Sequence, residues 1–161
     1  MQTSVKSEVK NWFMQGNVAL AYHCKLFNAA LKSAVDWQHA MSKLTGFQTI
    51  NSINHLYTFT NQWSLPWNMV IDTDLTYYVR SGYADHSMNS GEWIWNMAVA
   101  KRMLKSKALS LKLSGHDILA QRRSIVRTLN AQGRTETWHN VVPRYFMLSL
   151  VYHFSKSPRK E

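Results

Sequence analysis

The stretch that decides the fold runs from Arg144 to Phe154 and reads RYFMLSLVYHF. Every second side chain in it is apolar, and these residues would share one face: Phe146, Leu148, Leu150, Tyr152 and Phe154. The alternate positions carry a mixed set of side chains: Met147, Ser149, Val151 and His153. Because successive side chains point to opposite sides of a β-strand, the pattern predicts a strand with one apolar and one mixed face.

The same period of two recurs upstream of this strand. It predicts further strands at residues 109–114, 93–102, 67–80, 57–65 and 27–41. The last of these also has a helical interpretation, because it contains four alanines: Ala29, Ala30, Ala34 and Ala40. Residues 1–45 are assigned only loosely.

The predicted connections alternate between short and long. Tight turns are expected at Pro66 and at residues 105–107, whereas residues 42–54, 81–92 and 117–143 form long polar connections. Strands of roughly ten alternating residues, with short turns at one end and long loops at the other, are typical of outer-membrane barrels. We predict an all-β fold: an antiparallel up-and-down meander of about 6 to 8 strands, a segment of a larger transmembrane β-barrel. Residues 1–161 form this single segment, with residues 155–161 as a polar tail.

Composition excludes several other classes of protein. Lys and Arg number 19 against 9 for Asp and Glu, but only 17% of the residues are charged and 45% are apolar, which argues against a disordered chain. The longest apolar run, Val18 to Tyr22, is too short for a membrane-spanning helix. The single Cys24 provides neither a disulfide nor a zinc-binding spacing. Since the first residues lack a secretory signal, we expect that the chain is not exported by that route on its own.

The aromatic residues favour lipid as the environment of the apolar face. Trp63, Trp67 and Tyr152 lie near short turns, while Trp93, Trp95 and Tyr145 lie towards the long connections. Two such groups resemble the aromatic girdles that lie at the level of the lipid headgroups. In a soluble barrel the same face would instead point inward to a core or ligand, and alternation alone does not distinguish the two.

The polar positions of the strands predict a lumen lining rather than an active site. Asp72, Asp74, Arg80 and Lys112 alternate with apolar residues and are candidates for the lumen face. Two aspartates at this spacing would also suit an acid–base or cation site. The histidines show no metal-ligand spacing, and neither a nucleophile elbow nor a phosphate loop is present. We therefore expect no enzyme, no metal and no cofactor.

Nucleic acid is considered as a partner because of the basic residues. Residues 101–107 are strongly basic, and further arginines follow at Arg122, Arg123, Arg127 and Arg134. These residues divide between a tight turn and a long loop instead of forming one basic stripe. No nucleic acid is expected as a partner.

Several segments carry a resemblance to a known family. They are residues 65–68, 72–78, 80–83, 92–96, 105–113, 117–119, 127–138, 143–148 and 151–154. Their amino-acid sequences resemble those of the C-terminal part of the β-barrel of TonB-dependent receptor-like outer-membrane proteins. The resemblance covers about residues 50–155.

This resemblance implies a location, partners and a limit on function. It implies the outer membrane of a Gram-negative bacterium, with outer-membrane lipid, the barrel-assembly machinery and the remainder of the receptor barrel and plug as partners. Phe154 would be the terminal aromatic that the assembly machinery recognises, although residues 155–161 continue beyond it. Family members have about 22 strands, so the chain would be a truncated fragment without its own transport activity. Two alternatives stay open: a small self-contained β-barrel that binds an apolar ligand, and a basic β-rich nucleic-acid-binding protein.

Overall fold

The structure, a computed structural model, describes residues 9–42, 49–104, 108–123, 125–130, 133–142 and 144–154. These residues form nine β-strands: β1 (Val9–His23), β2 (Phe27–Ser42), β3 (Ile50–Leu65), β4 (Met69–Ser81), β5 (Ser90–Met103), β6 (Leu109–His116), β7 (Ile125–Asn130), β8 (Gly133–Trp138) and β9 (Tyr145–Tyr152). Single 3-10 turns lie at Pro66–Asn68 and His86–Met88. No helix among the described residues is long and apolar enough to cross a membrane.

Seven of the strands form one antiparallel sheet in the order β1-β2-β3-β4-β5-β6-β9. Each strand pairs with the next one along the chain, except that β9 replaces the strands β7 and β8 beside β6. The sheet is open, with β1 and β9 at its two edges. This architecture confirms the predicted all-β meander.

The sheet is a single layer, and this explains where its buried residues lie. Among the described apolar residues only Ala40, Ile50, Met88 and Ala98 are buried. Most of the large apolar side chains are instead partly or largely exposed, because nothing packs against the face on which they lie. A soluble domain of this size would bury a core.

Strands β1 and β2 lie within residues 1–45, which the sequence analysis assigned only loosely. β1 was not predicted, since Gly16 interrupts its apolar row, and Phe13, Ala19 and Ala21 lie on the opposite side together with Gln15 and Asn17. β2 is a strand along its whole length despite its alanines. It pairs with β1 on one side and with β3 on the other, and these two ladders satisfy its backbone groups in a way that overrides helix propensity.

Two of the predicted long connections contain strand. Residues 117–143 were expected to be a loop, but β7 and β8 within them form a separate two-stranded hairpin sheet. β3 also begins at Ile50, inside the region predicted as a connection. Both differences concern short or marginal strand segments, which lack the long alternation that the prediction depended on.

The connections of the seven-stranded sheet differ systematically between its two ends. At one end, here called the short-turn end, β1, β3 and β5 end, and the next strand of the sheet begins after three to five residues. At the other, the long-loop end, β2, β4 and β6 end, and the next strand of the sheet begins only after seven or more residues. The tight turn predicted at residues 105–107 lies outside the described residues, but its flanking strands β5 and β6 are adjacent and antiparallel, as a turn there requires.

Among the described residues, the tightest turn of the sheet joins β3 and β4. Leu65 pairs with Met69, so Pro66, Trp67 and Asn68 alone reverse the chain. Trp67 and Asn68 have φ angles of 63° and 57°, in the left-handed region. Asn tolerates this region better than other residues with a side chain, whereas a bulky Trp rarely adopts it.

Candidate membrane-facing surface and polar lining

One side of the sheet, here called the apolar face, is built from residues that pair across the strands. A representative row runs through five strands: Leu20, Leu31, Phe59, Leu75 and Trp95. A second row continues towards the other edge: Trp63, Ile71, Val99, Leu113 and Leu148. All the tryptophans within the seven strands share this face: Trp12, Trp37, Trp63, Trp93 and Trp95.

Aromatic rings of the apolar face cluster near the long-loop end. Tyr77 stacks on Trp93 with 4.1 Å between ring centroids, and on Tyr57 at 6.5 Å. Trp95 lies in the next apolar row towards the short-turn end. Of the girdle candidates, Trp93 is therefore part of a continuous stack across β3, β4 and β5, and Trp95 lies in the row beside it.

A second aromatic cluster lies on the same face near the short-turn end. Phe27 packs against Trp63 at 4.5 Å and against Tyr22 at 6.3 Å. Tyr152 lies at the same end of the sheet, since it pairs with Leu109 at the start of β6. The candidate Trp67 lies in the turn itself and is largely exposed. The sequence placed these residues near turns, and the structure brings them to one end of the sheet.

Tyr145 and Phe154 lie apart from the two clusters. Tyr145 pairs with His116 and stacks on its ring at 4.6 Å, on the side of the sheet opposite to Trp93 and Trp95. Its sequence position near a long loop carried no information about that side. Phe154 lies two residues beyond the end of β9 and packs edge-on against Tyr152 at 4.5 Å. Its role as an assembly signal stays a prediction.

The opposite side of the sheet, here called the polar face, holds all four residues predicted for the lumen lining. Asp72 lies in a row with Gln62 and Asn28, and Asp74 in a row with Thr60 and Asn96. Lys112 lies opposite Ala100 on the same face, and Arg80 opposite Asn54. The structure therefore brings these residues to one surface, although not to one cluster.

Hydrogen bonds link the polar side chains across neighbouring strands. Gln62 donates through Nε2 to Asp72 Oδ1 at 2.7 Å, and Asn28 donates through Nδ2 to Gln62 Oε1 at 3.4 Å. Asn96 donates through Nδ2 to Asp74 Oδ1 at 3.4 Å. The sequence analysis identified the aspartates but not these amide partners, which only the strand register places beside them.

Arg80 makes its described contacts within its own strand, two residues back along the chain. Its Nε donates to the Tyr78 hydroxyl oxygen at 2.7 Å, and the guanidinium carbon lies 5.0 Å from the centre of the Tyr78 ring. The combination of a hydrogen bond and a cation–π contact holds the cation against the sheet. Arg80 is nearer to the long-loop end than the two aspartates are.

The sheet curves towards its polar face, which lines an open hollow of about 700 Å³. Its lining includes Asp72, Asp74, Lys112, Ser114 and Ser149, drawn from three different strands. Five buried side-chain atoms of the described residues have no hydrogen-bond partner within the protein: Asn28 Oδ1, Asp36 Oδ1, Ser52 Oγ, Asn61 Oδ1 and Ser114 Oγ. All of these except Asn61 lie on the polar face. Buried polar atoms require a partner, and a water-filled lumen would supply it.

The first residues of the connection after β6 anchor it to β5. β6 pairs with β5 only as far as Met97, which leaves the preceding residues of β5 without a strand on the β6 side. Residues after β6 supply the missing partners: the Ile118 amide donates to the Trp95 carbonyl oxygen at 2.9 Å, and the Trp93 amide donates to Gln121 Oε1 at 3.0 Å.

The Asp117 carboxylate shapes this anchored segment. It is almost fully buried and accepts hydrogen bonds from the Gln121 and Arg122 amides, both at 3.2 Å. Arg123 then forms an ion pair with Glu92 at 3.2 Å. Asp117 directly follows β6, and aspartate is a common turn residue, so the sequence could have indicated this role.

The described part of the chain contains no group of three or more His, Cys, Asp or Glu side chains placed to hold a metal ion. The two aspartates on β4 make hydrogen bonds with neutral amides, an arrangement that suits a wall lining.

A long antiparallel meander with one apolar, aromatic-flanked face and one polar, concave face defines the class of protein: a wall of a membrane β-barrel. The chain belongs to the outer membrane protein beta-barrel family, whose model matches residues 3–152. Membership implies a location in the outer membrane. No curated protein and no solved structure matches the chain.

Proposed function

We propose that the chain is part of the barrel wall of a TonB-dependent receptor-like transporter in the outer membrane of a Gram-negative bacterium, and that it has no transport activity of its own. The observation that carries the proposal is the separation of side chains between the two faces. Tryptophans and large aliphatic residues lie on the convex face, and unpaired polar atoms line the concave one. The family match supports the outer-membrane part, and the sequence resemblance supports the receptor part.

The direction of curvature argues against a small soluble barrel around an apolar ligand. Such a barrel would turn its apolar face inward to line the cavity. Here charged and hydrogen-bonding side chains such as Asp72, Asp74 and Lys112 line the hollow, while apolar residues such as Leu113 and Leu148 lie exposed on the outside. Lipid chains are the surroundings that suit this outside surface.

A fluorescence experiment tests the lipid-facing surface. The chain is reconstituted into vesicles whose lipids carry bromine at a defined depth of the acyl chain, and tryptophan quenching is measured. We expect strong quenching, because the sheet tryptophans share the apolar face. The matched control is Trp93→Phe with Trp95→Phe, which should reduce the quenching near the long-loop end. Tryptophans that are quenched equally by a water-soluble agent would contradict the proposal.

Protease accessibility tests the topology of a full-length receptor that contains this segment. Short turns face the periplasm in such barrels, so we expect the long-loop end to be extracellular. Protease added to intact cells should therefore cut at Arg122, Arg123 or Arg127. Cleavage at Lys105 or Lys107, beside the short-turn end, would invert the topology.

The receptor assignment itself is tested by the genomic sequence around the coding region. An in-frame plug domain and further barrel strands upstream would support a TonB-dependent receptor. Flanking sequence that encodes a complete barrel without a plug would contradict the receptor assignment while leaving the barrel wall intact.

A further inference from the structure

Acidic and basic side chains lie on different strands of the hollow in the polar face. Asp72 and Asp74 belong to β4 and Lys112 belongs to β6, with β5 between them. Within the described part of the chain, neither aspartate forms an ion pair with a cation, and Lys112 forms none with a carboxylate. The concave wall therefore presents separate negative and positive groups, each open to a partner of opposite charge.

The two carboxylates are oriented by neutral amides and keep capacity for a further donor. Gln62 donates to Asp72 Oδ1 at 2.7 Å, and Asn96 donates to Asp74 Oδ1 at 3.4 Å. An ionised carboxylate has about four acceptor sites on its two oxygens, so one amide leaves most of them for a ligand. Since Asp72 and Asp74 are two apart on one strand, both side chains face the hollow. Such a pair suits an ammonium or guanidinium group.

Hydrogen-bond donors gather on the other side of the hollow, on β6 and β9. Lys112 lies directly opposite Ser149, and Ser114 lies in the next row of β6. All three residues line the hollow. Ser114 is only 4% exposed, and its Oγ has no hydrogen-bond partner within the protein. A buried hydroxyl without a partner is costly, so this atom lacks an acceptor that a bound group would supply. An ammonium flanked by two hydroxyls suits a carboxylate.

A small side chain separates the acidic group from the basic one. Ala98 of β5 is buried and pairs with Asp72 on one side and with Ser114 on the other. Asp72 and Ser114 therefore lie two strands apart, about 10 Å across the sheet. Because the alanine methyl group fills little of this distance, a ligand has space to lie over it. The methylene stem of a basic side chain suits both the length and the apolar floor. The ammonium and carboxylate of a simple amino acid share one carbon atom, and such a ligand would not reach both groups.

We propose that the hollow binds a zwitterion whose cationic group lies several methylene groups from its carboxylate, as in the basic amino acids arginine and lysine. The guanidinium or ammonium group binds Asp72 and Asp74, the stem lies over Ala98, and the carboxylate accepts hydrogen bonds from Lys112 and the serines beside it. The hollow is open, so the α-ammonium stays in water. This site goes beyond the proposed barrel wall and does not depend on the receptor assignment.

The same groups argue against simpler ligands. A metal ion is not favoured, because the described residues contain no group of three or more His, Cys, Asp or Glu side chains placed to hold one. An anion alone would approach the carboxylates of Asp72 and Asp74, and like charges repel. A cation alone would leave Lys112 and Ser114 without an acceptor. A ligand with both charges pairs both sides of the hollow.

Equilibrium dialysis with radiolabelled L-arginine tests the site on the full chain reconstituted in phosphatidylcholine vesicles. We expect saturable binding that unlabelled arginine and lysine displace. Two relatives of arginine each lack one charge: citrulline has a neutral urea in place of the guanidinium, and agmatine lacks the carboxylate. Each should bind at least about tenfold more weakly, because each loses charge-assisted hydrogen bonds at one side of the hollow.

Charge-removing variants assign each end of the ligand to its side of the hollow. Asp74→Asn and Lys112→Gln should each weaken arginine binding at least about tenfold. Asp74→Asn should also reduce the preference for arginine over citrulline, and Lys112→Gln the preference for arginine over agmatine, since variant and analogue remove the same pair. The matched controls are Asp36→Asn and Lys32→Gln, which make the same changes on the polar face outside the lining and should leave binding unchanged.

Three results would overturn the inference. Equal affinity for arginine and agmatine would show that no carboxylate is recognised. An equal loss of affinity in the site variants and the controls would show that only the net charge of the wall matters. Absence of arginine binding to vesicle-bound chain whose circular dichroism spectrum shows β-strand would exclude this ligand. Quenching by brominated lipid, measured on the same samples, tests the barrel wall separately, because it reports on the apolar face.

Discussion

Substitution of two adjacent residues of β3 by arginine provides the sharpest test of the face assignment. Phe59 lies on the apolar face, between Leu31 and Leu75 in its row. Thr60 lies on the polar face, directly opposite Asp74. The two positions differ by one residue in a central strand, so neither Phe59→Arg nor Thr60→Arg changes the edges of the sheet.

The expected magnitudes follow from the surroundings of each position. Phe59 lies between the aromatic clusters, and an arginine on the lipid face at the midplane costs about 2 to 4 kcal/mol. Thr60→Arg projects into the hollow, where the cross-strand carboxylate of Asp74 is worth roughly 0.2 to 1 kcal/mol to an opposite charge. The free energy of unfolding should therefore differ by at least about 2 kcal/mol between the variants.

A third variant, Leu65→Arg, distinguishes a lipid face from a buried soluble core. Leu65 lies on the apolar face at the short-turn end, in a row that already contains the cation Lys101. Near the headgroups the cost of an arginine falls to about 0 to 1 kcal/mol. If the apolar face were instead a buried soluble core, the cost of an arginine would not fall from Phe59 to Leu65.

Urea unfolding of each chain from lipid vesicles, followed by tryptophan fluorescence, measures these differences. A loss of about 2 kcal/mol lowers the urea midpoint on the order of 1 M. Equal stability of Phe59→Arg and Thr60→Arg would refute the assignment of the two faces. Equal losses for Phe59→Arg and Leu65→Arg would refute the lipid environment but not the face assignment.

Three further substitutions test individual features of the sheet. Asn61→Leu should raise the free energy of unfolding in lipid by about 1 kcal/mol, because Asn61 Oδ1 lies on the apolar face and is buried without a hydrogen-bond partner in the protein. A loss of stability would show that the amide has a partner in the membrane. Gly82→Ala should lower the free energy of unfolding in urea by about 1 to 3 kcal/mol, because Gly82 has φ +82° and an added Cβ would lie 2.3 Å from the Asn51 carbonyl oxygen. Gly16→Ala is the control, since a Cβ added at Gly16 would have no atom within 4 Å. Equal losses for the two variants would contradict the explanation. Asp117→Ala should speed amide hydrogen exchange at Gln121 and Arg122, because both amides lose their acceptor. Asp117→Asn should have a smaller effect, because it retains one side-chain oxygen. Unchanged exchange in Asp117→Ala would show that another group anchors the connection.

The division of side chains between two faces could be predicted from the sequence because it is local. Leu111 and Lys112 are neighbours in the chain, and a strand sends them to opposite sides whatever lies beside it. The same reasoning located β3 to β6 and β9 and the tight turn at Pro66. It was weakest at β1, where Gly16 interrupts the apolar row and Phe13 lies on the opposite side.

The sequence also indicated the aromatic groups, but the tertiary structure decided which of their members share a surface. Trp93 and Tyr145 both lie next to long connections in the sequence. Pairing placed Trp93 in the stack with Tyr77 and placed Tyr145 against His116 on the other side. Alternation within a strand fixes which of its residues share a side, but which side chains of neighbouring strands meet on one surface depends on register, and register depends on partners that are distant in the chain.

The sequence by itself therefore determined the all-β class, the period of two and the residues that form an apolar and a polar surface. Only the tertiary structure decided that the sheet curves towards the polar surface, that Gln62 and Asn96 stand beside the aspartates, and that the connection after β6 is held by Asp117. It also decided that β1 and β9 are parallel edges. The physical reason is that alternation is encoded between adjacent residues, whereas curvature, cross-strand contacts and strand number arise from hydrogen bonding between segments far apart in the sequence.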